Sequence, residues 1–290
     1  MIHPADLQKR DHTYVMGILN ITPDSFSGDG LMTAGACGEA AIKQARQFFA
    51  DGAHILDVGG ESTRPGSETI SSAEEIDRVA PVIQAIRKEM DITISVDTYK
   101  AEVAAAALDA GADWINDVWG LRADPDMAAL VARRNAPLVL MHNRSKPTEV
   151  LVQQRLGGMY LGADYSDLLP DICAELMNSV HIANQAGVPG SNIILDPGIG
   201  FGKTVNQNMQ LIDRLDEICE LGYPVLLGPS RKSFIGYTLD VPPNERVEGT
   251  AAAVVVGILR GAAVIRVHDV KQMVRVVKMT DAILASSRST

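Results

Sequence analysis

In the stretch LDPGIGFGKT, Leu195 to Thr204, a carboxylate, Asp196, precedes three alternating glycines and a lysine. A glycine-rich loop ending in Gly-Lys-Thr suggests phosphate binding. A P-loop, however, needs Gly, four residues and then Gly-Lys-Ser/Thr. Here the required first position is Pro197, and Gly198 leaves only three residues before Gly202. The loop must hold something else, and Lys203 reads as a solvated loop charge. Other groups able to do chemistry each close an apolar run: Asn20, Asp57, Asp97, Asn116 with Asp117, His142, Ser230 with Arg231 and Lys232, and Arg266 with His268. Carboxylates there can accept ring N–H groups, and cations can hold an anion. Arg266 and His268, two residues apart, lie on one side of an extended strand.

The runs that deliver these groups are YVMGILNI (14–21), HILDVGG (54–60), ITISVDT (92–98), WINDVWG (114–120), PLVLMHN (137–143), NIILDPG (192–198), PVLLGPS (224–230) and AVIRVHD (263–269). Rich in Val, Ile and Leu, they read as buried parallel strands. Between them lie helix-length segments such as AEVAAAALDA and NMQLIDRLDEICEL, as parallel pairing requires. Gly52, Gly111 and Gly261 stand where a helix must end before the next strand begins. Eight such units predict an α/β fold, a single (β/α)8 TIM barrel with its active site at the C-terminal ends of the strands. No Pro-, Gly- or Ser-rich linker divides the chain, so residues 1–290 read as one domain with a core at about 14–285. A polar group at the same end of all eight runs is poorly explained as independent helix caps.

The bulk composition narrows the class of function. The chain has 290 residues, 46% hydrophobic and 21% charged, with a net charge of −10. That charge argues against nucleic acid or an anionic membrane as partner. Any anionic ligand must therefore meet a local positive cluster. Cys37, Cys173 and Cys219 are odd in number and lack metal-ligand spacing, which predicts buried, reduced thiols and a cytoplasmic protein. The N-terminal MIHPADLQKRDHTYV lacks the apolar segment of an export signal, and no run of about 20 apolar residues occurs.

Eight motifs, in order from Met16 to Val270, resemble the dihydropteroate synthase family: MGILNITPDSFS, DVGGESTRPG, SVDTYKAEVA, INDVWG, LMH, ILDPGIGFGKT, SRKSFIG and IRVHDV. The resemblance implies condensation of 6-hydroxymethyl-7,8-dihydropterin diphosphate with 4-aminobenzoate, giving dihydropteroate and pyrophosphate on the way to folate. It also implies the roles. Asp196 accepts the donor edge of the pterin as a charge-assisted pair, Asp97 and Asn116 add ring contacts, Phe201 walls the ring, and Lys232 reaches it. Gly198, Gly200 and Gly202 let the loop turn beside a planar ligand. Asn20, Arg266 and His268 take the diphosphate, with Mg2+ near Asn20. Phe26, Thr63, Arg64, Pro65 and Ser233 serve aminobenzoate, and Asp24 and Asp29 are the acids of the first loop. Asp97, Asp196, Lys232, Arg266 and His268 form the catalytic set. The family is homodimeric and is a sulfonamide target.

The chain departs from the family pattern in places. Gly28 precedes Asp29 where the acid would come first, Pro229 precedes SRK, Asn143 and Arg144 follow His142, and Trp119 stands in NDVWG. These changes flank the substrates and bear on aminobenzoate and sulfonamide recognition rather than on reaction type. Other readings remain. A methyltetrahydrofolate methyltransferase-like barrel shares the ring-binding carboxylate and asparagine but has no need of STRPG or SRKSF. An aldolase-like barrel would use Lys232 as a Schiff-base nucleophile. A non-catalytic pterin-binding barrel would bind without releasing pyrophosphate.

Overall fold

Each of the eight apolar runs forms a strand in the computed structural model, which describes residues 1–9, 11–22, 34–62, 67–146, 149–153 and 155–286. The first five are β1 (Tyr14–Asn20), β2 (Ile55–Gly59), β3 (Thr93–Asp97), β4 (Trp114–Asp117) and β5 (Leu138–Met141). A short antiparallel hairpin, β6 (Val150–Gln153) and β7 (Gly157–Tyr160), follows them, and no sequence expectation included it. The last three runs are β8 (Ile193–Asp196), β9 (Leu226–Leu227) and β10 (Val264–Val267). The eight pair in parallel, in the order β8-β5-β4-β3-β2-β1-β10-β9. A parallel bridge from Leu195 to Val225 joins the two ends and closes the barrel. The polar groups lie within two residues of the strand ends or just beyond them, because a polar side chain is tolerated at the mouth and not in the apolar interior.

Outside the strands run α1 (Pro4–Leu7), α2 (Ala34–Ala50), α3 (Ser72–Glu89), α4 (Ala101–Ala110), α5 (Met127–Arg134), α6 (Leu168–Gln185), α7 (Val205–Asp213), α8 (Leu215–Cys219), α9 (Ser233–Leu239), α10 (Val247–Leu259) and α11 (Val270–Ser286). Local chemistry sets their ends. Ser71 accepts the Glu74 N–H to start α3, and Gly111 at φ 111° stops α4. Thr204 opens α7 with a reciprocal capping box to Gln207. The Gly-Lys-Thr that resembled a phosphate grip is thus the start of a helix. One barrel end is plugged by apolar side chains, among them Met16, Ile55, Trp114, Val139 and Ile194. The Trp114 ring N–H donates to Ile2 O at 3.0 Å, sealing that end.

The opposite end is the polar one. Across β1, β2, β3 and β4 the register sets Asn20, Gly59, Asp97 and Asn116 in one row. The expected burial of the thiols is corrected for two of the cysteines: Cys173 and Cys219 are reduced but only half-buried, each packed at the edge of the core from a helix outside the barrel. Among the described residues no helix is long and apolar enough to cross a membrane.

Candidate active site

At the polar mouth a cleft of about 470 Å³ is lined by Asn20, Asp97, Phe201, Lys232, Ser233, Arg266 and His268, seven residues drawn from five separate motifs. The β-strand alternation holds: Arg266 and His268 both face it. The centre is an ionic chain. Arg266 Nε donates to Asp57 Oδ2 at 2.6 Å, and its Nη2 donates to Asp97 Oδ2 at 2.5 Å. Asn116 Nδ2 donates to the same Asp57 oxygen at 3.0 Å. Asp57 is fully buried and is the hub of the site, although the sequence marked it only as a strand end. Burial works against the Arg266 charge, yet Asp57 and Asp97 hold its guanidinium above the usual range. Burial also pushes the Asp97 carboxyl up, with Arg266 pulling against it and Asp57 adding to it.

At and beneath the lining, Asp57 Oδ1, Ser95 Oγ, Asp97 Oδ1 and Asn116 Oδ1 are buried and have no hydrogen-bond partner among the described residues. Asp196 and Asn116 do not themselves line the cleft. They lie behind it, 5% and 2% exposed. Asp196 Oδ1 accepts the Gly198 N–H at 2.7 Å, so this carboxylate both shapes its own loop and carries charge at the strand end. Burial raises its carboxyl, while the Gly198 N–H and the nearby Lys232 and Arg266 pull it back.

Phe201 stacks on Tyr160 and carries the Lys232 ammonium 4.1 Å from its ring centre. Burial and the nearby Arg266 lower the Lys232 ammonium to about 8. Val118 and Met141 are buried in the same apolar wall, with Trp119 packed against it. Trp119 therefore extends a wall rather than displacing a contact. Arg231, at φ 55°, turns the SRKS segment and forms a bidentate pair with Asp269 at 2.9 and 2.5 Å. His268 Nδ1 lies 3.1 Å from Ser230 Oγ.

The expectation for Lys203 is overturned. It is 3% exposed, and its Nζ lies 3.0 Å from His142 Nδ1 while donating to Gly198 O at 2.9 Å and Phe201 O at 3.0 Å. The loop folds over it because Gly198 and Gly202, both at positive φ, allow the chain to press against residues 142–145. Further residues that sequence reasoning missed hold the walls. Buried Arg246 donates to Arg231 O at 2.9 Å and to Leu156 O at 2.8 Å, tying the SRKS turn to the hairpin. Lys100 joins Glu61 at 2.6 Å, Glu75 at 2.8 Å and Ile70 O at 2.7 Å. Asn143 is buried framework, donating to Val118 O at 3.1 Å and accepting from Ser145 N. Asp24, Phe26, Asp29, Thr63, Arg64 and Pro65 lie outside the described residues.

The model of the pterin binding enzyme family matches residues 16–268, and the chain belongs to that family. Its relatives narrow the class. It is 52% identical over 281 residues to the dihydropteroate synthase of Bacillus subtilis, covering 97% of this chain and 92% of that one. The Clostridium difficile dihydropteroate synthase, solved in the presence of pteroic acid, matches with a TM-score of 0.84 at 45% identity, over 94% of this chain and 97% of that one. The Xanthomonas albilineans dihydropteroate synthase, solved with 4-aminobenzoic acid, matches with a TM-score of 0.86 at 39% identity, over 95% and 94% of the two chains. The chain shares their enzyme class, a transferase of folate synthesis, and their TIM-barrel fold.

Proposed function

We propose that this chain condenses 6-hydroxymethyl-7,8-dihydropterin diphosphate with 4-aminobenzoate, forming 7,8-dihydropteroate and releasing pyrophosphate at the cleft described above. The observation that carries the reading is the set of buried acceptors without partners, Asp97 Oδ1 and Asn116 Oδ1, beneath a cleft walled by Phe201 and Lys232. An unpaired buried polar atom costs about 1–3 kcal/mol. A pterin edge, with ring N–H and exocyclic amine donors, is the complement to such a surface. The pteroic acid and 4-aminobenzoic acid of the solved relatives support the same substrate classes.

In this reading Asp196, Asp97 and Asn116 hold the pterin and Phe201 and Lys232 cover it. Arg266 spends Nε and Nη2 on the two aspartates, which fixes the guanidinium plane and leaves Nη1 for the diphosphate. His268 and Asn20 complete the anion side. As pyrophosphate departs, Asp97 and Asp196 stabilise positive charge developing on the pterin while Arg266 and His268 stabilise the leaving anion. The aniline nitrogen then attacks. It is nucleophilic at neutral pH, so no strong base is required. Ser233 takes the aminobenzoate carboxylate, joined by Phe26, Thr63, Arg64 and Pro65, with Asp24 and Asp29 as loop acids.

Mg2+ fits this donor set as a companion of substrate. Asn20 offers one amide oxygen at the cleft, and no group of three or more His, Cys, Asp or Glu that could hold a metal occurs among the described residues. Such a site suits an ion that keeps its waters and arrives on phosphate oxygens. Bound near Asn20, it would neutralise charge on the diphosphate. A homodimer in the cytoplasm belongs to the same reading, supported by exposed Leu259, Met279 and Ile283 on α10 and α11 and by the reduced thiols of Cys173 and Cys219. The test is pyrophosphate release from the purified chain. Release is expected only with both substrates and Mg2+. Pterin binding without release, or full turnover in excess chelator, would overturn the proposal.

A further inference from the structure

We propose that Lys203 is a positioning residue for pterin recognition: its ammonium, seated on His142, fixes the carbonyls of Gly198 and Phe201, and so aligns Asp196 and the Phe201 ring on the ligand. The inference rests on the reading of Asp196 and Phe201 as pterin contacts. No motif assigned Lys203 a role, and its position five residues beyond Gly198, on a glycine-rich loop, suggested only solvation.

Three features of the geometry carry it. The ammonium is buried and its three neighbours are all acceptors: Gly198 O, Phe201 O and His142 Nδ1. The two carbonyls belong to the residue that caps Asp196 and to the residue whose ring supports Lys232. The loop also has nowhere else to go. A Cβ on Gly198 would lie 1.8 Å from His142 O, and one on Gly202 would lie 2.5 Å from the Arg144 carbonyl carbon, so the chain is folded tightly around the lysine.

The arrangement has a direction. A charged Lys203 donates to Nδ1 of neutral His142, which places the ring proton on Nε2. That atom lies 3.1 Å from Glu175 Oε2, in close electrostatic contact though not aligned as a straight hydrogen bond. Glu175 is held in turn by Arg144, whose Nε donates to it at 2.8 Å and whose guanidinium stacks 4.3 Å from the Tyr165 ring centre. If Lys203 loses its proton, its two remaining N–H groups can still serve the carbonyls, but its lone pair then faces Nδ1. His142 must shift its proton to Nδ1, turning a bare Nε2 toward the Glu175 carboxylate. The loop is therefore held differently in the two protonation states.

The charges facing the ammonium are Asp196 from β8, Glu175 from α6, Lys232 from the turn before α9 and Arg144 from the segment after β5, with Arg122 facing His142. Burial first, and Lys232 and Arg144 after it, bring Lys203 down to about 7, while Asp196 and Glu175 oppose the fall. Glu175 does not figure among the groups acting on Lys232, so a change at Glu175 separates Lys203 from Lys232.

The experiment titrates 6-hydroxymethyl-7,8-dihydropterin diphosphate onto the full chain by calorimetry from about pH 6 to about pH 9, spanning the lysine's transition. Loss of charge-assisted bonds to the loop predicts that Lys203→Met binds about 10- to 100-fold more weakly near neutral pH, with the fall in affinity near pH 7 removed and the one near pH 8, where Lys232 titrates, retained. The KM for aminobenzoate should be unchanged, and Lys203→Arg should restore part of the affinity. Glu175→Gln is expected to move the alkaline fall of an otherwise normal enzyme to lower pH, and it decides the matter if Lys203→Met does not fold. A folded Lys203→Met within twofold of the parent at every pH, or a Glu175→Gln profile superimposable on the parent's, overturns the proposal. A parent chain that binds no pterin diphosphate overturns the functional reading first and this inference with it.

Discussion

Asp196 does two things with one carboxylate. Its Oδ1 is committed to the Gly198 N–H, which leaves Oδ2 to accept from a ligand. Asn at this position would keep the bond to Gly198 with its oxygen and turn an NH2 group toward ring donors. Asp196→Asn is therefore expected to weaken pterin binding by about 2 kcal/mol or more with the barrel intact, since a charge-assisted acceptor is replaced by a second donor. Calorimetry with a pterin ligand checks it, and near-normal affinity would identify another carboxylate as the ring's partner. At this scale the sequence was informative where a side chain reaches the cleft from its own strand end, as with Asp97, Arg266 and His268. It was silent where a residue's role depends on which strands lie beside it. Asp57 became the hub because β2 lies between β1 and β3 and because Arg266 reaches it from a strand more than two hundred positions later. A lysine between glycine and threonine gave no sign of burial, since burial of Lys203 depends on a wall, His142 and residues 142–145, contributed by another loop.

Elements that alternate regularly were legible from period and punctuation: every apolar run became a strand, and the glycines at 52, 111 and 261 have the positive φ their places between helix and strand require. The hairpin of β6 and β7 was not legible, because its four-residue strands show no alternation, β6 is largely exposed, and the turn between them is held by Arg246 from a distant segment. The loop after β8 depends on glycine for two separable reasons, and comparing Gly198 with Gly222, in the turn between α8 and β9, separates them. Gly222 has φ 87°, and a Cβ added there would meet nothing within 4 Å, so Gly222→Ala costs only the left-handed backbone, about 1 kcal/mol. Gly198 has φ 70° and adds a collision with backbone at 1.8 Å. Gly198→Ala is expected to cost several times as much and to abolish pterin binding, because His142 and the segment beyond it must move. Denaturant unfolding of both variants tests this, and equal losses would show that the loop has room the geometry denies.

Across the whole molecule, an acidic chain of net charge −10 concentrates buried cations around one cleft, and three buried or partly buried groups each add a contribution to stability that rises with pH. Burial, reinforced by Lys203, holds His142 at about 4. Between pH 6.5 and that value the unfolded chain takes up a proton that the folded chain refuses, so stability is complete above 6.5 and falls as pH drops. The gap corresponds to about 3 kcal/mol. Glu175, held at about 2 by His142 and Arg144, extends the loss from about 4.5 downward. Lys203, lowered to about 7, acts in the same sense on the other side of neutrality: between about 7 and its ordinary 10.5 the folded chain again binds less proton, so its contribution rises with pH. The contributions of His142 and Lys203 thus rise with pH, opposed on the acid side by Asp97 and Asp117, which burial raises to about 7 and about 6 and whose contributions fall as pH rises toward those values, while pterin affinity falls over the alkaline range as Lys203 loses the charge that seats the loop. The ammonium costs stability and serves recognition, a conflict found where a site is built against its own scaffold. Urea unfolding across pH, set beside the calorimetric affinities, tests the pair. His142→Gln should remove the rise that His142 contributes between about 4 and 6.5 and shrink the Glu175 limb below it, since His142 is the first of the groups holding Glu175 down. A variant whose slope in that interval matches the parent's would show that His142 does not carry this contribution.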